Sequence, residues 1–486
     1  MTRLSSGGRL IDRDATARFT FDGTWLRGHP GDTLASALMA NDRLTVGRSF
    51  KYHRPRGIVA SGAEEPNALV NLGGGHKHEP NARATTTELF DGLHATSQNR
   101  WPSLAFDLGA INAAMARFLP AGFYYKTFIH PRPFWKHVYE PIIRRSAGLG
   151  RAPDPETRDP DTYEHFHYST DLVVVGGGVA GLHAALTAAE AGAQVLLVEQ
   201  SAHWGGRAPV DGGMIEGMDP DAWVKRTLER LRAMPNVTLR ARLMAAGLYD
   251  HGYLLGYERL ADHDPEAGGP RHRLWRIRAR QVIAATGAIE RPLPFAGNDR
   301  PGVLLASALR DYIVNYAAAP GESVVVVTNN DDAYRTALTA HDAGLAVPAV
   351  LDARPEGGGA LMQAAKDRGI AVLTGTGVAR IKGLGRVLSV VSCDQDGTGT
   401  PGREFHCDAV AMSGGWSPVV HLWSHCGGKL TWNAEVAAFE PDLSRPPTGR
   451  HGEAIVEPAG LARGSDGADA ERAGTLASTL RNAARA

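Results

Sequence analysis

An apolar run followed by a cluster of glycines dominates the middle of the chain. Leu172–Val175 is short enough for a buried parallel strand, and Gly176–Gly178 follows it directly. The next segment is rich in alanine and leucine, which favour a helix, and it ends at Gly192. Gln194–Val198 is a second apolar run. The pattern predicts strand, glycine turn, helix and second strand in order, which is a βαβ unit.

The glycines of this turn have the spacing of a dinucleotide-binding motif. Gly176 permits a tight turn, Gly178 lets the backbone approach a pyrophosphate, and Gly181 lets the helix pack closely on the strand. Glu199 ends the second strand, 18 residues after Gly181, where a carboxylate accepts hydrogen bonds from an adenosine ribose. A carboxylate would repel a 2′-phosphate, so the motif predicts NAD or FAD rather than NADP and does not separate those two.

Alternating apolar and polar residues near the N-terminus predict a small sheet. Residues 17–28 have the pattern of a β-hairpin with its turn at residues 22–23. Residues 32–33 are suited to cap a short helix over Leu34–Asn41. Residues 1–12 have no such pattern, and we expect them to form a loose leader.

Two further segments extend the nucleotide-binding fold. Residues 281–288 predict a strand that ends at Thr286 and Gly287, a turn that lies close to the cofactor in flavoproteins with two dinucleotide-binding domains. A second βαβ unit begins at Ser323, but it lacks the glycine turn. Asp331 and Asp332 stand about where a pyrophosphate would lie, and two carboxylates would repel it. We interpret the second unit as a retained scaffold with a degraded site.

Composition argues against several functional classes. Lys+Arg and Asp+Glu both number 52 among 486 residues, so the formal net charge is zero, which argues against a general nucleic-acid or membrane-surface binder. The sequence has no run of 18 or more apolar residues that would span a membrane. The N-terminus lacks the apolar core of a secretory signal. A cytoplasmic location is therefore expected.

Cysteine and histidine usage predicts neither a disulfide framework nor a metal site. Cys393, Cys407 and Cys426 lie far apart and form no C-x-x-C motif. A nicotinamide-dependent disulfide reductase needs a redox cysteine pair beside its flavin, so this function is disfavoured. The four histidines between residues 130 and 167 lack the spacing of zinc ligands. We expect them at the surface or at an interface.

The chain resembles the α subunit of heterotetrameric sarcosine oxidase over nearly its whole length. The motifs that carry the resemblance are residues 46–58, 64–70, 97–103, 121–128, 176–181, 286–287 and 297–302. Members of that family continue into a folate-binding domain similar to an aminomethyltransferase, whereas this sequence stops soon after residues 456–464. We therefore expect no folate chemistry in this chain.

The resemblance implies an α/β fold class. It implies a ferredoxin-like α+β N-terminal domain followed by a Rossmann-type flavoprotein fold with two dinucleotide-binding domains. A [2Fe–2S] cluster needs four thiolates, and no cysteine precedes Cys393, so we expect no iron–sulfur cluster. The predicted segments are a ferredoxin-like domain at 1–105, an aromatic and Pro-rich connection at 106–168, the first part of the dinucleotide-binding domain at 169–305, an inserted Rossmann-like domain at 306–410, a return at 411–475 and a tail at 476–486.

The function implied is that of a subunit in a flavin-dependent amine oxidase complex, which converts sarcosine, oxygen and water into glycine, formaldehyde and hydrogen peroxide. In the family an amine-oxidase-like β chain holds FAD and oxidises sarcosine, and γ and δ chains complete the assembly. FMN lies at the α–β boundary, and the α chain binds NAD. We expect the isolated chain to be inactive, and we assign no catalytic residue to it.

The candidate binding residues form two groups. The basic segment 48–56 lies about where relatives carry the cluster-binding loop, and its cations are suited to an FMN phosphate. The aromatic stretch 123–136 predicts an interdomain or subunit contact. The predicted cofactor-binding residues are Gly176, Gly178, Gly181, Glu199, Gln200, Gly205, Gly206, Thr286 and Gly287 for NAD or FAD, and Lys51, Arg54 and Arg56 for FMN.

Two alternative functions stay open. One is the α subunit of a related two-chain amine dehydrogenase that acts on proline, an opine or glycine. The other is a structural subunit whose nucleotide site is vestigial. The intact set of Gly176, Gly178, Gly181 and Glu199 argues against the structural function, whereas the degraded second unit keeps it open.

Overall fold

The computed structural model describes residues 2–119, 129–147, 158–395 and 398–464, together with the single positions 122, 126, 150, 152, 153 and 156. The predicted tail, the end of the last predicted segment from residue 465, and most of the stretch 123–128 lie outside the described residues.

Contacts divide the chain into two compact units. The first consists of Met1–Pro160 and Pro292–Gly414, and the second consists of Asp161–Arg291 and Gly415–Ala486. The predicted insertion thus belongs to the same unit as the N-terminal domain. The boundaries of the six predicted segments remain predictions.

The N-terminal sheet of the first unit confirms the predicted hairpin and helix. Its strand order is Thr24–Gly28, Ala17–Phe21, Leu93–Ser97, Leu69–Leu72 and Glu79–Arg83. Asp22 and Gly23 turn the hairpin with φ angles of +49° and +78°, as a type I′ turn requires. The side chain of Thr33 accepts a hydrogen bond from the N–H of Ser36 and caps the helix Leu34–Ala40. This mixed α and β arrangement is the predicted ferredoxin-like domain.

The N-terminal segment is packed against this unit, so the expectation of a loose leader is wrong. Arg3 forms a bidentate ion pair with the buried carboxylate of Asp32, with Nη2–Oδ2 and Nη1–Oδ1 distances of 2.7 and 3.3 Å. Its Nη1 also donates to the carbonyl of Tyr316 at 2.6 Å, and the N–H of Leu4 donates to the carbonyl of Ala317 at 2.8 Å. These partners are remote in sequence and make no periodic pattern, so the sequence did not predict the packing.

A second, parallel sheet completes the core of the first unit. Its strand order is Val303–Leu305, Ala409–Ser413, Val324–Thr328, Val350–Asp352 and Val372–Leu373. The helices Ala306–Tyr316, Asp332–Asp342 and Gly359–Asp367 connect these strands. The strands are almost entirely apolar, as in a sheet covered on both faces. Their core is continuous with that of the N-terminal sheet, where the buried hydroxyl of Tyr312 donates to the carbonyl of Ala60 at 2.9 Å.

The second unit is built on a larger sheet that carries the first glycine turn. Its strand order is Val237–Arg240, Val195–Val198, Tyr163–Val175, His272–Ala284, Tyr253–Arg259 and Leu243–Tyr249, and Val456–Pro458 also pairs with His272–Ala284. The helices Val179–Glu190 and Pro220–Arg232 pack together on one face. This is the predicted Rossmann-type fold.

The remaining elements are short. Antiparallel strands pair Gly47–Arg48 with Pro55–Arg56, Ala288–Glu290 with Trp416–Pro418, Leu430–Asn433 with Ala438–Pro441, and Ser389–Asp394 with both Thr376–Lys382 and Pro401–His406. The other α-helices are Ile111–Ala114, Arg132–Phe134, Glu140–Ala147, Ala208–Asp211 and His421–His425, and a π-helix spans Trp135–Tyr139. The 3₁₀ turns are Gly75–Lys77, Leu108–Ala110, Ala116–Phe118, Asp250–Gly252 and Gly460–Arg463. Within the described ranges, no helix is both long and apolar enough to cross a bilayer.

Candidate functional site

The first glycine turn joins the strand Tyr163–Val175 to the helix Val179–Glu190. Gly176 has a φ of +111°, and a Cβ at this position would lie 2.2 Å from the carbonyl oxygen of Ala285. A Cβ at Gly181 would lie 1.8 Å from the carbonyl oxygen of Gly176. Both positions therefore require glycine, the first for the tight turn and the second for close packing of the helix on the strand.

Gly178 has a different environment from the other two glycines. It is the N-cap residue of the helix, with φ −73° and ψ −178°, and no side chain caps the helix there. A Cβ at Gly178 would lie 3.9 Å from its nearest neighbour, the Cα of Gly206. The first N–H groups of the helix and the backbone of Gly178 are therefore accessible, and the helix dipole favours an anion at this point.

Glu199 follows the strand Val195–Val198 and reaches back across the glycine turn. Its Oε2 accepts a hydrogen bond from the N–H of Gly177 at 2.7 Å, and its Oε1 accepts one from the N–H of Ser201 at 2.8 Å. Burial raises the pKa of Glu199, although these backbone hydrogen bonds oppose the shift. The carboxylate is thereby fixed beside the turn. The next residue, Gln200, is exposed.

A second glycine pair packs against the first turn. The N–H of Gly205 donates to the carbonyl of Gly177 at 2.8 Å, and Gly205 and Gly206 have φ angles of +103° and +57°. A Cβ at Gly206 would lie 3.0 Å from the Cα of Gly178, and a Cβ at Gly177 would lie 2.5 Å from the Trp204 ring. The structure thus brings the two predicted glycine segments together. Trp204, which the sequence did not single out, covers Gly177.

Two more turns reach the carboxyl end of the same sheet. Gly287 has a φ of +72° with no atom within 4 Å of a Cβ there, and the hydroxyl of Thr286 donates to the carbonyl of Val419 at 2.7 Å. Gly460 has a φ of +60°, and its Cβ would lie 2.8 Å from the Cβ of Ala180 in the first turn of the helix. We did not predict Gly460 as a site residue; it lies two residues after the short strand Val456–Pro458.

Arg207 adds positive charge directly after the second glycine pair. Its guanidinium carbon lies 5.3 Å from the centroid of the Trp416 ring, and its Nη2 lies 2.8 Å from Oδ1 of Asp211. The helix terminus and Arg207 both favour an anionic ligand, with Asp211 offsetting part of the arginine charge. No sequence motif predicted a role for this arginine.

Lys51, Arg54 and Arg56 belong to the first unit, whereas the glycine turns belong to the second. Nη1 of Arg56 and Nη1 of Arg54 lie 2.7 and 3.7 Å from the same Oδ2 of Asp299. The Lys51 ammonium and the Arg54 guanidinium lie 4.8 and 5.2 Å from the centroid of the Tyr52 ring. Arg56 is therefore engaged by a carboxylate of its own chain, while the side chain of Arg54 is about half exposed.

The second dinucleotide-type turn is filled by internal ion pairs. Arg354 Nη2 lies 2.7 Å from oxygens of both Asp331 and Asp352, and Arg310 Nη2 lies 2.9 Å from Asp332 Oδ2. Asp331 and Asp332 stand at the start of the helix that would face a pyrophosphate, and Asp352 ends the neighbouring strand Val350–Asp352. The arrangement supports the interpretation of a degraded site, which stays a prediction.

The thiols lack the properties of redox-active cysteines. None of the three forms a disulfide, and burial raises the pKa of Cys407 to about 12 and that of Cys426 to about 11. Both thiols are therefore protonated at neutral pH. Among the described residues, no group of three or more His, Cys, Asp or Glu side chains could hold a metal ion.

Two protein families match this chain. Residues 170–438 match the pyridine nucleotide-disulphide oxidoreductase family, and residues 14–100 match the 2Fe-2S iron-sulfur cluster binding domain family. The first match covers the glycine turns and Glu199. The second covers the N-terminal sheet.

Individual relatives agree with these matches. The sarcosine oxidase α subunit of Rhizobium meliloti (strain 1021) is 48% identical over 439 residues, which are 90% of this chain and 43% of the relative. The sarcosine oxidase α subunit of Corynebacterium sp. (strain U-96) is 36% identical over 453 residues, covering 91% and 42%. Among solved structures, L-proline dehydrogenase from P. horikoshii has a TM-score of 0.60 at 20% identity, covering 95% of this chain and 71% of that chain. The chain spans about two fifths of the length of these sarcosine oxidase subunits.

The match at residues 14–100 contradicts the expectation of no iron–sulfur cluster, which is therefore wrong. That expectation rested only on the lack of cysteine before Cys393, whereas the domain is similar throughout to domains that bind such clusters. Residues 14–100 nevertheless contain no cysteine, so they do not supply the four thiolates of a ferredoxin cluster.

The glycine turns, the Rossmann-type fold and the relatives all indicate a nucleotide-binding oxidoreductase. The 170–438 match covers more than half of the 486 residues. The chain therefore belongs to the pyridine nucleotide-disulphide oxidoreductase family and is a homologue of sarcosine oxidase α subunits.

Proposed function

We propose that this chain is the nucleotide-binding subunit of a flavin-dependent amine oxidase complex of the sarcosine oxidase type. The observation that carries the proposal is the cradle of backbone around Gly178, formed by the uncapped helix Val179–Glu190, the glycine pair Gly205-Gly206 and the fixed carboxylate of Glu199. The homology of the chain to sarcosine oxidase α subunits supports the choice of this type of complex.

The ligand of this cradle is NAD or FAD. The pyrophosphate would lie over Gly178 and Gly206 at the helix N-terminus, where the N–H groups and the dipole stabilise negative charge. Glu199 would accept hydrogen bonds from the adenosine ribose, and the like charge would repel a 2′-phosphate. When bound, such a cofactor supplies a ring that carries a hydride or electrons, while the chain binds and orients it.

The amine is oxidised on a partner subunit in this proposal. The partner is an amine-oxidase-like flavoprotein β chain that holds FAD, and γ and δ chains complete the complex in the cytoplasm. The overall reaction converts sarcosine, oxygen and water into glycine, formaldehyde and hydrogen peroxide. FMN lies at the boundary between this chain and the β chain, with Lys51, Arg54 and Arg56 as partners of its phosphate.

Gly178→Glu tests the nucleotide cradle. The position has room for a side chain and a backbone conformation that other residues adopt, so the variant is expected to fold. Its carboxylate would stand where the pyrophosphate approaches, so the variant should lose nucleotide. The matched control is Gly268→Glu, which places the same charge on an exposed glycine of the same unit with open space around it.

The measurements are the melting temperature of each protein, the nucleotide released on denaturation, and calorimetric titration with NAD and with FAD. We expect the wild type and Gly268→Glu to bind one of the two, and Gly178→Glu to bind neither while it melts at the temperature of the nucleotide-free wild type, because bound nucleotide itself raises the melting temperature. Nucleotide in Gly178→Glu at the wild-type stoichiometry would refute the cradle. A wild-type chain that binds neither NAD nor FAD would instead support the structural subunit with a vestigial site.

A further inference from the structure

The basic loop, residues 48–56, is a short hairpin whose tip is held tightly. The N–H of Ser49 donates to the carbonyl of Arg54, and the N–H of His53 donates to the carbonyl of Ser49, both at 2.9 Å. The φ of His53 is +51°, a conformation that residues other than glycine adopt rarely. Such a conformation persists only where the surrounding structure fixes it. The contacts of His53 therefore determine the conformation of the tip.

The imidazole of His53 ties the tip to a second turn of the first unit. Its Nδ1 lies 2.7 Å from Oδ2 of Asp107, and both residues are buried. The other carboxylate oxygen of Asp107 accepts a hydrogen bond from the N–H of Trp101 at 2.8 Å. A Cβ at Gly109 would lie 2.3 Å from Nδ1 of His53, so the imidazole packs directly against that backbone. Because a buried carboxylate without partners is costly, Asp107 holds the imidazole in place.

The base of the hairpin is tied to the same second turn through Arg48. Nη1 of Arg48 donates to the carbonyl of His53 at 3.0 Å, and Nη2 of Arg48 donates to the carbonyl of Leu104 at 2.6 Å. His53 is thus held at two points, its imidazole and its carbonyl. The chain itself therefore sets the conformation of the tip before a ligand binds.

Two of the cations proposed for the FMN phosphate share one aromatic ring. The Lys51 ammonium and the Arg54 guanidinium lie 4.8 and 5.2 Å from the centroid of the Tyr52 ring, and the face of such a ring attracts cations. The hydroxyl of Tyr52 donates to the carbonyl of Leu119 at 3.1 Å, which anchors the ring itself. These contacts do not leave the cations free; they determine where the two charges lie.

We propose that His53 and Tyr52 are positioning residues for the phosphate of FMN, which determine where the cations of the basic loop lie. His53 fixes the tip through its contact with Asp107, and the ring of Tyr52 fixes the two cations. The inference rests on the proposed function, because it takes FMN as the ligand of the basic loop. Neither side chain is assigned a contact with FMN. Cations that are held in place before binding lose less entropy than mobile ones, so they bind a phosphate more tightly.

His53→Ala tests the imidazole, and His53→Asn is its conservative counterpart. Alanine removes the contact with Asp107, whereas asparagine tolerates a positive φ and carries an amide that donates to a carboxylate. The matched control is His29→Ala. It removes an imidazole of the same unit whose Nδ1 lies 2.7 Å from the carbonyl oxygen of Ala15.

Tyr52→Phe tests the ring, because it keeps the ring and removes only the hydroxyl that anchors it. Each full-length chain is co-expressed with the flavoprotein subunit, and the FMN content, the FAD content and the melting temperature of the purified complex are measured. We expect His53→Ala and Tyr52→Phe to lower the ratio of FMN to FAD severalfold. His53→Asn should restore most of the FMN, and His29→Ala should keep the wild-type ratio even where it lowers the melting temperature.

A wild-type ratio of FMN to FAD in both His53→Ala and Tyr52→Phe would overturn the inference alone. A His53→Ala chain that does not fold, or that loses FMN and FAD equally, would show a structural role of His53 and overturn its part, while Tyr52→Phe decides the part of the ring. No rescue by His53→Asn would exclude the hydrogen bond of the imidazole as the cause. If neutralising Lys51, Arg54 and Arg56 left FMN in place, the proposed FMN site would fail together with the inference.

Discussion

Gly178 and Gly181 show that one motif gives the same residue type different physical tasks. A side chain at Gly181 would collide with the carbonyl oxygen of Gly176, whereas the space beside Gly178 is free of the chain's own atoms. Glycine is needed at position 181 for folding and at position 178 for the approach of the ligand. Substitutions at the two positions should therefore separate stability from binding.

Gly181→Ala should destabilise the fold by about 1–3 kcal/mol, the range for overpacked sites. The added Cβ would lie 1.8 Å from the Gly176 carbonyl oxygen, so the helix or the turn must move. The matched control is Gly268→Ala, at an open and exposed glycine. Urea denaturation measures the unfolding free energy of both variants. An unfolding free energy equal to that of the control would show that the helix is not packed on the turn in this way.

The sequence predicted those residues of the site whose role depends on local spacing. The roles of Gly176 and Gly181 follow from the βαβ pattern alone, because strand, turn and helix are contiguous. Trp204 and Gly460 could not be found in this way, since each meets the turn only after the chain returns to the sheet. The partners of Arg56 were also hidden, because Asp299 is remote in sequence.

At the scale of elements, periodic segments were predicted well and aperiodic ones were not. The apolar run Leu172–Val175 is the end of a strand that begins at Tyr163. Its first half pairs with His272–Ala279 and carries mostly polar, partly exposed residues, so hydrophobicity did not reveal it. The expectation of a loose leader at residues 1–12 was wrong for a related reason, because hydrogen bonds to residues remote in sequence hold this segment and no repeated apolar pattern marks it.

Arg3→Met should destabilise the first unit by about 1–3 kcal/mol, because it leaves the buried Asp32 carboxylate without its cation. The lower part of this range reflects the partial exposure of Arg3, whose side chain is 19% accessible, and the hydrogen bonds that Asp32 keeps from His29 and Ser36. Urea denaturation is the measurement. The control is Arg27→Met, at an exposed arginine of the hairpin in the same unit. Equal stability of the two variants would mean that the ion pair between Arg3 and Asp32 contributes nothing to the stability of the fold.

At the scale of the whole molecule, a formal net charge of zero conceals an uneven distribution. The balance of 52 basic and 52 acidic residues excludes a uniformly charged surface and says nothing about local clusters of charge. The segment 46–57 is strongly basic, with four Lys or Arg residues and no Asp or Glu. Which charges are paired internally, as Arg56 and Arg100 are, could be read only from the folded chain.

The proposed division of labour between subunits predicts that the isolated chain forms no hydrogen peroxide from sarcosine or another secondary amine. Co-expression with the flavoprotein subunit should restore amine-dependent peroxide, because the amine-binding site lies on that subunit in the proposal. A coupled peroxidase assay measures the hydrogen peroxide formed by the isolated chain and by the co-expressed complex. Amine-dependent peroxide from the isolated chain would overturn the division of labour.

The same complex tests the basic loop. Lys51→Gln/Arg54→Gln/Arg56→Gln should lower the FMN content while FAD stays in place, since the phosphate would lose charge-assisted hydrogen bonds. Arg18→Gln/Arg27→Gln removes two exposed charges from the hairpin of the same unit and should change neither flavin. Because Arg56 also pairs with Asp299, the melting temperature of the triple variant must be measured beside its flavin content. Full FMN occupancy in a folded triple variant would rule these three residues out as phosphate partners.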